Sequence, residues 1–581
     1  MRKPRVIVIG SGFGGSVFAA RLAETGRYEV HVFERGREYG RNQFPRRPDE
    51  LNDAVWDPAT GRLGLYEWRS SSQSEIDVLT ASGVGGGSLI YSNVLYPMPA
   101  EFFRGWPGGL HRELLDPYYE RVFAMLEAHP YPATDPRSPY ARTPKTQALL
   151  RVARELSQDA AGHAAVELEW PRLAVQFGGP PGEELHNEQG AVQSHCIMCG
   201  ECNFGCNYRS KTTVDITYLQ RARRFGAVVE PWHEVRSVIP RPGPRPDDTD
   251  GGYLVGWVDP RHPRAAPQFM SCEHVVLAAG SLGSPRLLLR MKEQHHLPRL
   301  SPALGTRWSP NGDLLGFVVH AREALHSNQG PVITGSLRFH NGAYRDGTPH
   351  GLYVQDAGFP LFLLWYLTAL APSTTSRWES LLGALHYLRG VIGWGRARHD
   401  VQASAVSSLP QFLFRDQPSF AHALGLLGMG RDLATGRLHL QPSPGGLPDD
   451  VQVDWHSGDS ELHYERLRDA MRRIAQALGG ELIENPLSLF RRYISVHPVG
   501  GCPIGDDPDH GVVDAHTGEV FGYPGLYVAD GSIMPTAIGP NPSLTIAGMA
   551  ELYAERFIHA HLGRASERWP RPAPSLEEAF P

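Results

Sequence analysis

Cysteine is scarce in this sequence, and its few copies are not spread as a disulfide-stabilised protein would spread them. The 581 residues include six cysteines, four of which fall within residues 196–206. Secreted domains that depend on disulfides distribute their cysteines along the chain. The sequence therefore predicts a protein of a reducing compartment, and we expect it to be cytoplasmic.

A large excess of charge of either sign is also lacking. The formal net charge is -6, which gives no basic field for binding nucleic acid. No signal-peptide pattern precedes "RVIVIG" at residues 5–10, which is typical of a buried strand. The length exceeds what one hydrophobic core usually organises, so we expect at least two domains.

The sequence has no apolar run of the roughly 20 residues that cross a membrane. Residues 359–372 are apolar but short and flanked by proline, and residues 381–395 contain Arg389. For the first stretch we favour a buried helix over a lid that contacts a membrane. We therefore expect a soluble protein.

Glycine, in contrast, is placed where a dinucleotide would need it. Gly10, Gly12 and Gly15 form G-x-G-x-x-G between an apolar strand and a helical pattern, and Glu34 ends the next strand. These glycines permit a tight turn, close approach of a pyrophosphate to the backbone, and close helix–strand packing. A carboxylate at the second strand accepts from a ribose hydroxyl and disfavours the 2′-phosphate of NADP, so FAD or NAD is predicted.

A second glycine-dense turn favours the longer of these two cofactors. Gly85, Gly86 and Gly87 allow another close approach of backbone to a flat or phosphorylated group. Near the C-terminus, His497 lies in a loop fixed by proline and glycines, and Asn541 precedes Pro542 in a pattern that predicts an N-cap followed by proline at N1. On local sequence alone, an ordinary cap is the simpler interpretation of Asn541.

Strand–turn–helix segments recur at the start, middle and end of the chain. We predict an α/β fold with a discontinuous Rossmann-like FAD-binding domain and a mixed α+β substrate domain with an antiparallel sheet. The predicted pieces are the FAD-binding domain at residues 1–97, 212–308 and 495–581, and the substrate domain at residues 98–211, which include the cysteine-rich loop, and 309–494.

Five further motifs, in this order, carry a family resemblance: "GVGGGSLIYSN", "LAAGSLGSPRLL", "SPNGD", "HPVGGCPIG" and "GPNPSLTIAGMAE". With the first glycine motif they resemble the glucose–methanol–choline (GMC) flavoprotein oxidoreductases, and within them the cholesterol-oxidase-like branch. The resemblance implies oxidation of a hydrophobic, steroid-like or long-chain alcohol by hydride transfer to flavin N5. It implies that His497 accepts the hydroxyl proton and that Asn541 orients the hydroxyl. Oxygen or an external acceptor would take the electrons, and a lyase- or isomerase-type reaction on the same FAD scaffold is the alternative.

The resemblance also implies a set of residues around the cofactor. We expect the following to bind FAD: Gly10, Gly12, Phe13, Gly14, Gly15, Glu34, Gly85, Gly86, Gly87, Ser88, Asn93, Val235, Ala279, Gly280, Asp530, Gly531, Asn541, Pro542 and Thr545.

The sequence departs from the cholesterol-oxidase-like branch at its active-site glutamate. A rough alignment assigns that place to Gln355 or Asp356. The apolar stretches at residues 359–371 and 381–394 would suit a pocket for a bulky hydrophobic alcohol, but equally a plain core.

The four clustered cysteines are Cys196, Cys199, Cys202 and Cys206, with the spacing C-x2-C-x2-C-x3-C. This is ferredoxin-type spacing, in which the fourth cysteine usually serves a second cluster. No second cysteine set exists, so one iron–sulfur cluster is the most that the chain could hold. Zinc, or a structural loop with or without disulfides, are the alternatives.

Overall fold

The structure is a computed structural model that describes residues 2–46, 50, 53–70, 74–157, 166–242, 251–340, 351–359, 421–442, 449–484 and 492–563. The apolar stretch at residues 359–372 lies outside this part of the chain except for Phe359, which is buried. The stretch at residues 381–395 lies wholly outside it.

The described residues form seven α-helices: α1 (Phe13–Thr25), α2 (Arg112–Met125), α3 (Pro144–Ser157), α4 (Tyr218–Arg224), α5 (Gly280–Glu293), α6 (Glu461–Ala477) and α7 (Ser543–Leu562). Their strands, in chain order, are β1 (Arg5–Ile9), β2 (Glu29–Phe33), β3 (Trp56–Asp57), β4 (Arg62–Leu63), β5 (Tyr66–Ser70), β6 (Ile76–Ala81), β7 (Val94–Leu95), β8 (His129–Pro130), β9 (Val166–Glu169), β10 (Arg172–Leu173), β11 (Glu184–His186), β12 (Val192–Ser194), β13 (Val228–Glu230), β14 (Glu234–Pro240), β15 (Tyr253–Val258), β16 (Gln268–Cys272), β17 (His274–Leu277), β18 (Leu314–Val319), β19 (Ser336–Phe339), β20 (Leu352–Ala357), β21 (Leu424–Met429), β22 (Arg437–Gln441), β23 (Asp450–Asp454), β24 (Glu481–Glu484), β25 (Tyr493–Ser495), β26 (Ile504–Gly505), β27 (Val513–Asp514) and β28 (Leu526–Val528).

A parallel five-stranded sheet, in the order β13-β2-β1-β17-β28, forms the centre of the nucleotide-type domain. Strand β1 is apolar and almost wholly buried, as expected for a strand covered on both faces. Helix α1 packs against α4 and α7, and the buried ion pair of Arg21 with Glu551 joins α1 to α7. The strands come from the start, middle and end of the chain, so the predicted discontinuous α/β fold is confirmed; the exact domain boundaries stay a prediction.

The second large sheet is antiparallel and six-stranded, in the order β24-β18-β21-β20-β19-β9. Helix α6 packs on its strands β18, β20, β21 and β24, and its apolar side contributes the buried residues Leu467, Met471 and Ile474. This sheet is the antiparallel sheet predicted for the substrate domain.

Two features bring the sheets together at one place. The carboxyl ends of β1, β2, β17 and β28 share one edge of the parallel sheet, where ligands bind in open α/β folds. Strand β25 pairs in parallel with β6, and this pairing carries the chain from the substrate domain back to the same edge. Among the helices in the described part of the chain, none combines the length and apolar character that a membrane crossing requires.

Candidate active site

One cavity at the carboxyl edge of the parallel sheet gathers most of the predicted cofactor residues together with His497. The predicted residues that line it are Gly10, Gly12, Phe13, Gly14, Glu34, Gly86, Gly87, Val235, Ala279, Gly280, Asp530 and Gly531.

Other predicted cofactor residues do not line this cavity but support its walls. Gly15 packs on the Gly10 carbonyl, which a Cβ would approach to 2.0 Å, so it serves the packing role of the third glycine. The Ser88 hydroxyl donates to the Gly85 carbonyl at 2.7 Å, which holds the turn that contains Gly86 and Gly87. The remaining residues away from the lining are Asn93, Asn541, Pro542 and Thr545.

One end of the cavity is organised by Glu34, which we predict to bind the adenosine half of the cofactor. Its Oε2 accepts from the Ser11 hydroxyl at 2.7 Å and the Ser11 amide at 3.2 Å, and its Oε1 accepts from the Gly36 amide at 2.9 Å. The carboxylate is therefore fixed at the cavity wall, where its remaining lone pairs can accept from ribose hydroxyls. Sequence reasoning found Glu34 but missed Ser11, which lies inside the glycine motif.

The middle of the cavity fits a pyrophosphate and a flat ring. Helix α1 begins directly after Gly12, with no side chain capping its N-terminus and no acidic residue in its first turn, so its N–H groups and dipole face an anion site. A Cβ on Gly87 or Gly280 would have no heavy atom within 4 Å. The backbone at these turns is thus open to a ligand, and the residues present fit FAD.

Asp530 ties two turns together at this wall of the cavity. Its carboxylate accepts from the Gly280 amide at 2.8 Å and the Ser284 hydroxyl at 2.6 Å on α5, and from the Ser532 amide at 2.8 Å. Burial raises the pKa of Asp530 above its ordinary value, although these hydrogen bonds oppose the shift. The aspartate thus fixes the start of α5 against the turn at residues 531–533.

His497 follows β25 and is oriented by a buried carboxylate. The ring Nδ1 lies 2.8 Å from Oδ1 of Asp313, whose side chain is 1% exposed. The other oxygen, Oδ2, accepts from the amides of Val496 at 2.8 Å and His497 at 3.0 Å. Sequence reasoning missed Asp313, although the residue ends the quoted motif "SPNGD", because a carboxylate far along the chain gives no sign of its histidine partner.

Asn541 lies on the side of the His497 ring opposite Asp313. Its Nδ2 lies 3.4 Å from Nε2 of His497, and its Oδ1 accepts from Nε2 of Gln355 at 2.7 Å. The prediction that Asn541 caps the last helix is wrong, because α7 begins at Ser543 with Pro542 in the cap position. The amide of Asn541 is engaged by Gln355 and His497 instead.

The segment before Asn541 is held by another residue that sequence reasoning missed. The side-chain amide of Asn311 donates to the carbonyls of Gly539 at 3.3 Å and Pro540 at 3.1 Å. Its oxygen accepts from the amides of Ile538 at 2.8 Å and Gly539 at 3.1 Å. All four hydrogen bonds are buried, so Asn311 fixes the approach of Asn541 to His497.

Gln355 and Asp356 are adjacent on β20 and therefore point to opposite faces of the sheet. Asp356 forms a buried ion pair with Lys145 at 2.5 Å and accepts from the amides of Thr334 at 2.8 Å and Gly335 at 2.9 Å. Gln355 faces Asn541. Of the two candidates for the family glutamate, the one that meets the site is the uncharged Gln355.

An apolar surface adjoins Gln355 on the same face of the sheet. Gln355 is paired with Leu427, and Leu427 with Leu315, in one row across β20, β21 and β18. Directly paired residues share a face of an antiparallel sheet, and Ala357, two residues after Gln355, shares it as well. Leu315, Ala357 and Leu427 all line the cavity that contains His497.

The four clustered cysteines line a second, smaller pocket together with Lys211. All of them are free thiols, so the predicted alternative of disulfides is not what the structure has. Burial raises the pKa of the Cys199 thiol to about 12. Within the described ranges, no group of three or more His, Cys, Asp or Glu side chains is arranged so that it could hold a metal ion.

Comparison with known protein families places this geometry in context. A family model described as "GMC oxidoreductase" matches residues 432–550, and one described as "NAD(P)-binding Rossmann-like domain" matches residues 8–54. The first match contains His497 and Asn541, and the second contains the glycine motif and Glu34.

The curated relatives cover nearly the whole chain. A cholesterol oxidase of Mycobacterium tuberculosis is 29% identical over 590 aligned residues, which span 97% of this chain and 91% of the relative. A cholesterol oxidase of Acinetobacter baumannii is 25% identical over 94% of this chain and 92% of its own length. A long-chain-alcohol oxidase of Arabidopsis thaliana is 22% identical over 95% of this chain and 67% of its own length.

Among solved structures, pyridoxine 4-oxidase from Mesorbium loti superposes with a TM-score of 0.59 at 17% identity, covering 96% of this chain and 100% of the other. This likeness bears on the fold alone. Together with the family models and the relatives, it agrees with the resemblance that the motifs predicted. The chain is similar to the GMC oxidoreductases, among them cholesterol oxidases, and is an FAD-dependent enzyme that oxidises a hydroxyl group.

Proposed function

We propose that the enzyme oxidises the hydroxyl of a bulky hydrophobic alcohol, with His497 as the proton acceptor and Asn541 as the residue that orients the hydroxyl. The observation that carries this proposal is the array in which Asp313 holds one side of the His497 ring and Asn541 meets the other. We refer to Asp313, Gln355, His497 and Asn541 as the histidine site.

The array fixes which nitrogen of His497 can accept a proton. Asp313 accepts hydrogen bonds from two backbone amides and faces Nδ1. An acceptor at this position selects the tautomer in which Nδ1 carries the proton, and Nε2 is then left as the acceptor. His497 is therefore a base oriented by a carboxylate, as general-base catalysis requires.

The amide orientation of Asn541 follows from Gln355. Because the Gln355 Nε2 donates to Oδ1 of Asn541, the Nδ2 group of Asn541 is turned toward His497. A hydroxyl oxygen between the two side chains can accept from Nδ2 of Asn541 while its proton is donated to Nε2 of His497. Bound FAD supplies the hydride acceptor for the carbinol carbon.

Two observations support a hydrophobic substrate. The row Leu315–Leu427 adjoins Gln355 and lines the cavity, so a ligand at His497 meets an apolar wall. The relatives include cholesterol oxidases and a long-chain-alcohol oxidase. Hydrophobic alcohols match both observations. The relatives also include an oxygen-dependent choline dehydrogenase of Pseudomonas aeruginosa at 24% identity, but choline does not match the apolar wall.

The test is anaerobic mixing of the purified FAD-bound enzyme with a sterol, a long-chain alcohol and choline, while the visible absorbance of oxidised flavin is recorded. We expect the absorbance to be lost with a hydrophobic alcohol and retained with choline. Product formation without any loss of flavin absorbance would instead indicate a lyase- or isomerase-type reaction. The His497→Ala variant is the matched control and should retain the absorbance on the same time scale.

A further inference from the structure

We propose that the cysteine loop, residues 196–206, binds one iron–sulfur cluster that carries electrons out of the cavity that contains His497, which we call the flavin cavity. Cys196, Cys199, Cys202 and Cys206 all line the same pocket. They lie in the only part of this sequence where cysteines are clustered.

The backbone of the cysteine loop is sharply bent, and its four cysteines line one pocket. Met198, a residue with a side chain, adopts a left-handed conformation with φ 61, and Gly200 and Gly205 have φ 70 and φ 78. Such a conformation is unfavourable for a non-glycine residue and persists where the surroundings determine it. Here Gly330 pairs with the loop: its amide donates to the Met198 carbonyl at 3.1 Å, and its carbonyl accepts from the Gly200 amide at 3.0 Å.

The pocket is also supplied with positive charge and N–H donors. Lys211, 1% exposed, lines the pocket and donates to the carbonyls of Tyr91 at 3.2 Å and Cys202 at 2.8 Å. The Arg46 guanidinium, also at the pocket, donates to the Gly205 carbonyl at 2.6 Å. The Met198 amide lies 3.4 Å from the Cys196 sulfur. Cations and N–H groups around the sulfurs stabilise the negative charge of a thiolate-bound cluster.

The lack of a single-ion site among the described residues favours a cluster over zinc. One tetrahedral zinc ion needs all four sulfurs at about 2.3 Å from one point, and the described residues contain no group that could hold such an ion. In a [4Fe–4S] cluster each thiolate binds a separate iron, and in a [2Fe–2S] cluster each iron takes two thiolates, so in both the four sulfurs stand farther apart than around one zinc ion. The two other cysteines, Cys272 on β16 and Cys502, are not part of this pocket, so all four loop cysteines serve one cluster.

The cysteine pocket adjoins the flavin cavity. Asn203 lines the flavin cavity while its neighbour Cys202 lines the cysteine pocket, and Val332 and Pro331 divide in the same way. Tyr91 lines the flavin cavity, and its carbonyl accepts from Lys211 of the cysteine pocket. The two spaces are therefore separated by about one residue, which is a short path for an electron.

The electron balance follows from this position and rests on the proposed alcohol oxidation. The alcohol gives a hydride to the cofactor and a proton to His497. The cluster would then accept the two electrons of that hydride one at a time, while the proton of the hydride and the proton on His497 are both released to solvent. It passes each electron to an external one-electron carrier, so that two carrier molecules are reduced for each alcohol oxidised.

The experiment is anaerobic purification and reconstitution of the full chain with iron and sulfide, followed by assay of iron, acid-labile sulfide, zinc and free thiols. Electron paramagnetic resonance is recorded before and after reduction with dithionite. We expect about four iron and four sulfide per chain for a [4Fe–4S] cluster, or about two of each for a [2Fe–2S] cluster, since four thiolates can hold either, and a signal that changes on reduction. None of these readouts depends on the alcohol, so failure here and failure of the proposed function are distinguishable.

Variants test whether the loop cysteines are the ligands. Cys202→Ser should lose most of the iron and sulfide, while Cys272→Ala, which changes a buried cysteine outside the pocket, should retain them; FAD content reports folding in both. The proposal is overturned if the wild-type chain holds no iron after reconstitution, if it holds zinc instead, if the four thiols are found as disulfides, or if a folded Cys202→Ser variant retains all of its iron.

Discussion

The histidine site and the cysteine loop border the same cavity but are assembled in opposite ways. The histidine site joins side chains from four separate segments, at residues 313, 355, 497 and 541. The cysteine loop takes its thiols from one continuous stretch. A cluster of cysteines is therefore visible in the sequence before its use is known, whereas the partners of a histidine become visible only when the fold brings them together.

The largest loss of activity is expected from a change at His497, which should leave the cysteine loop unaffected. Replacing it with alanine removes the proton acceptor, and general-base catalysis is typically worth about 10²–10⁴-fold, so we expect kcat to fall by that factor. FAD content should be unchanged, because His497 lies on the cavity wall but makes no described contact that supports the glycine turns. The measurement is the rate of flavin reduction in anaerobic stopped flow. An unchanged rate would remove His497 from the chemistry.

Asp313 tests whether the dispersed histidine site acts as a unit. Asp313→Asn replaces a hydrogen bond to a charged group worth about 1.5–3 kcal/mol, so kcat should fall roughly tenfold to a hundredfold. Because Asp313 acts by orienting His497, the same change in the His497→Ala background should have little further effect. Additive losses in the double variant would show that Asp313 acts independently of His497.

Features made by one continuous stretch of sequence could be predicted, and features made by contacts between distant segments could not. Local patterns predicted the strand, glycine turn and helix at β1–α1 and the second at β17–α5, because turn chemistry and hydrophobic period are both short-range. They could not predict the pairing of Asp313 with His497, which depends on the return of the chain through β25. The cap assigned to Asn541 failed for the same reason, since a tertiary partner, Gln355, engaged the side chain.

The alternating side chains of β20 show the limit of prediction from sequence. Its period of two implies that only one of Gln355 and Asp356 faces the site, but which one depends on register. The register is fixed by pairing with β19 and β21 and by the buried partner Lys145 on α3, which takes Asp356. A strand pattern thus narrows the choice, and long-range contacts decide it.

Gln355 offers a smaller, positional effect. Gln355→Met keeps the volume but removes the donor to Asn541, a hydrogen bond worth about 0.5–1.5 kcal/mol, so kcat should fall by roughly two- to tenfold. The iron content of the cysteine loop should not change, because Gln355 acts within the histidine site. Gln294→Met, at an exposed glutamine, is the matched control. A fall in FAD content in place of kcat would indicate a purely structural role.

The smallest effect on activity is expected at Asp432, a buried residue close enough to Asp313 for the two charges to interact. The Ser309 hydroxyl donates to its carboxylate, and burial, reinforced by the nearby Asp313 charge, raises the pKa of Asp432 to about 7. The pKa is thus higher in the folded chain than in the unfolded one, near 3.9. The folded state holds the proton more tightly, so this stabilisation is complete below pH 4 and is lost as the pH rises through 7.

Between pH 6 and 8 the free energy of unfolding of the wild type should fall by roughly 1 kcal/mol relative to Asp432→Asn, whose side chain does not titrate. Thermal unfolding of both proteins across this range, at constant ionic strength, measures the difference. Parallel curves would mean that Asp432 does not change protonation on unfolding, and the buried carboxylate would then be ionised beside Asp313.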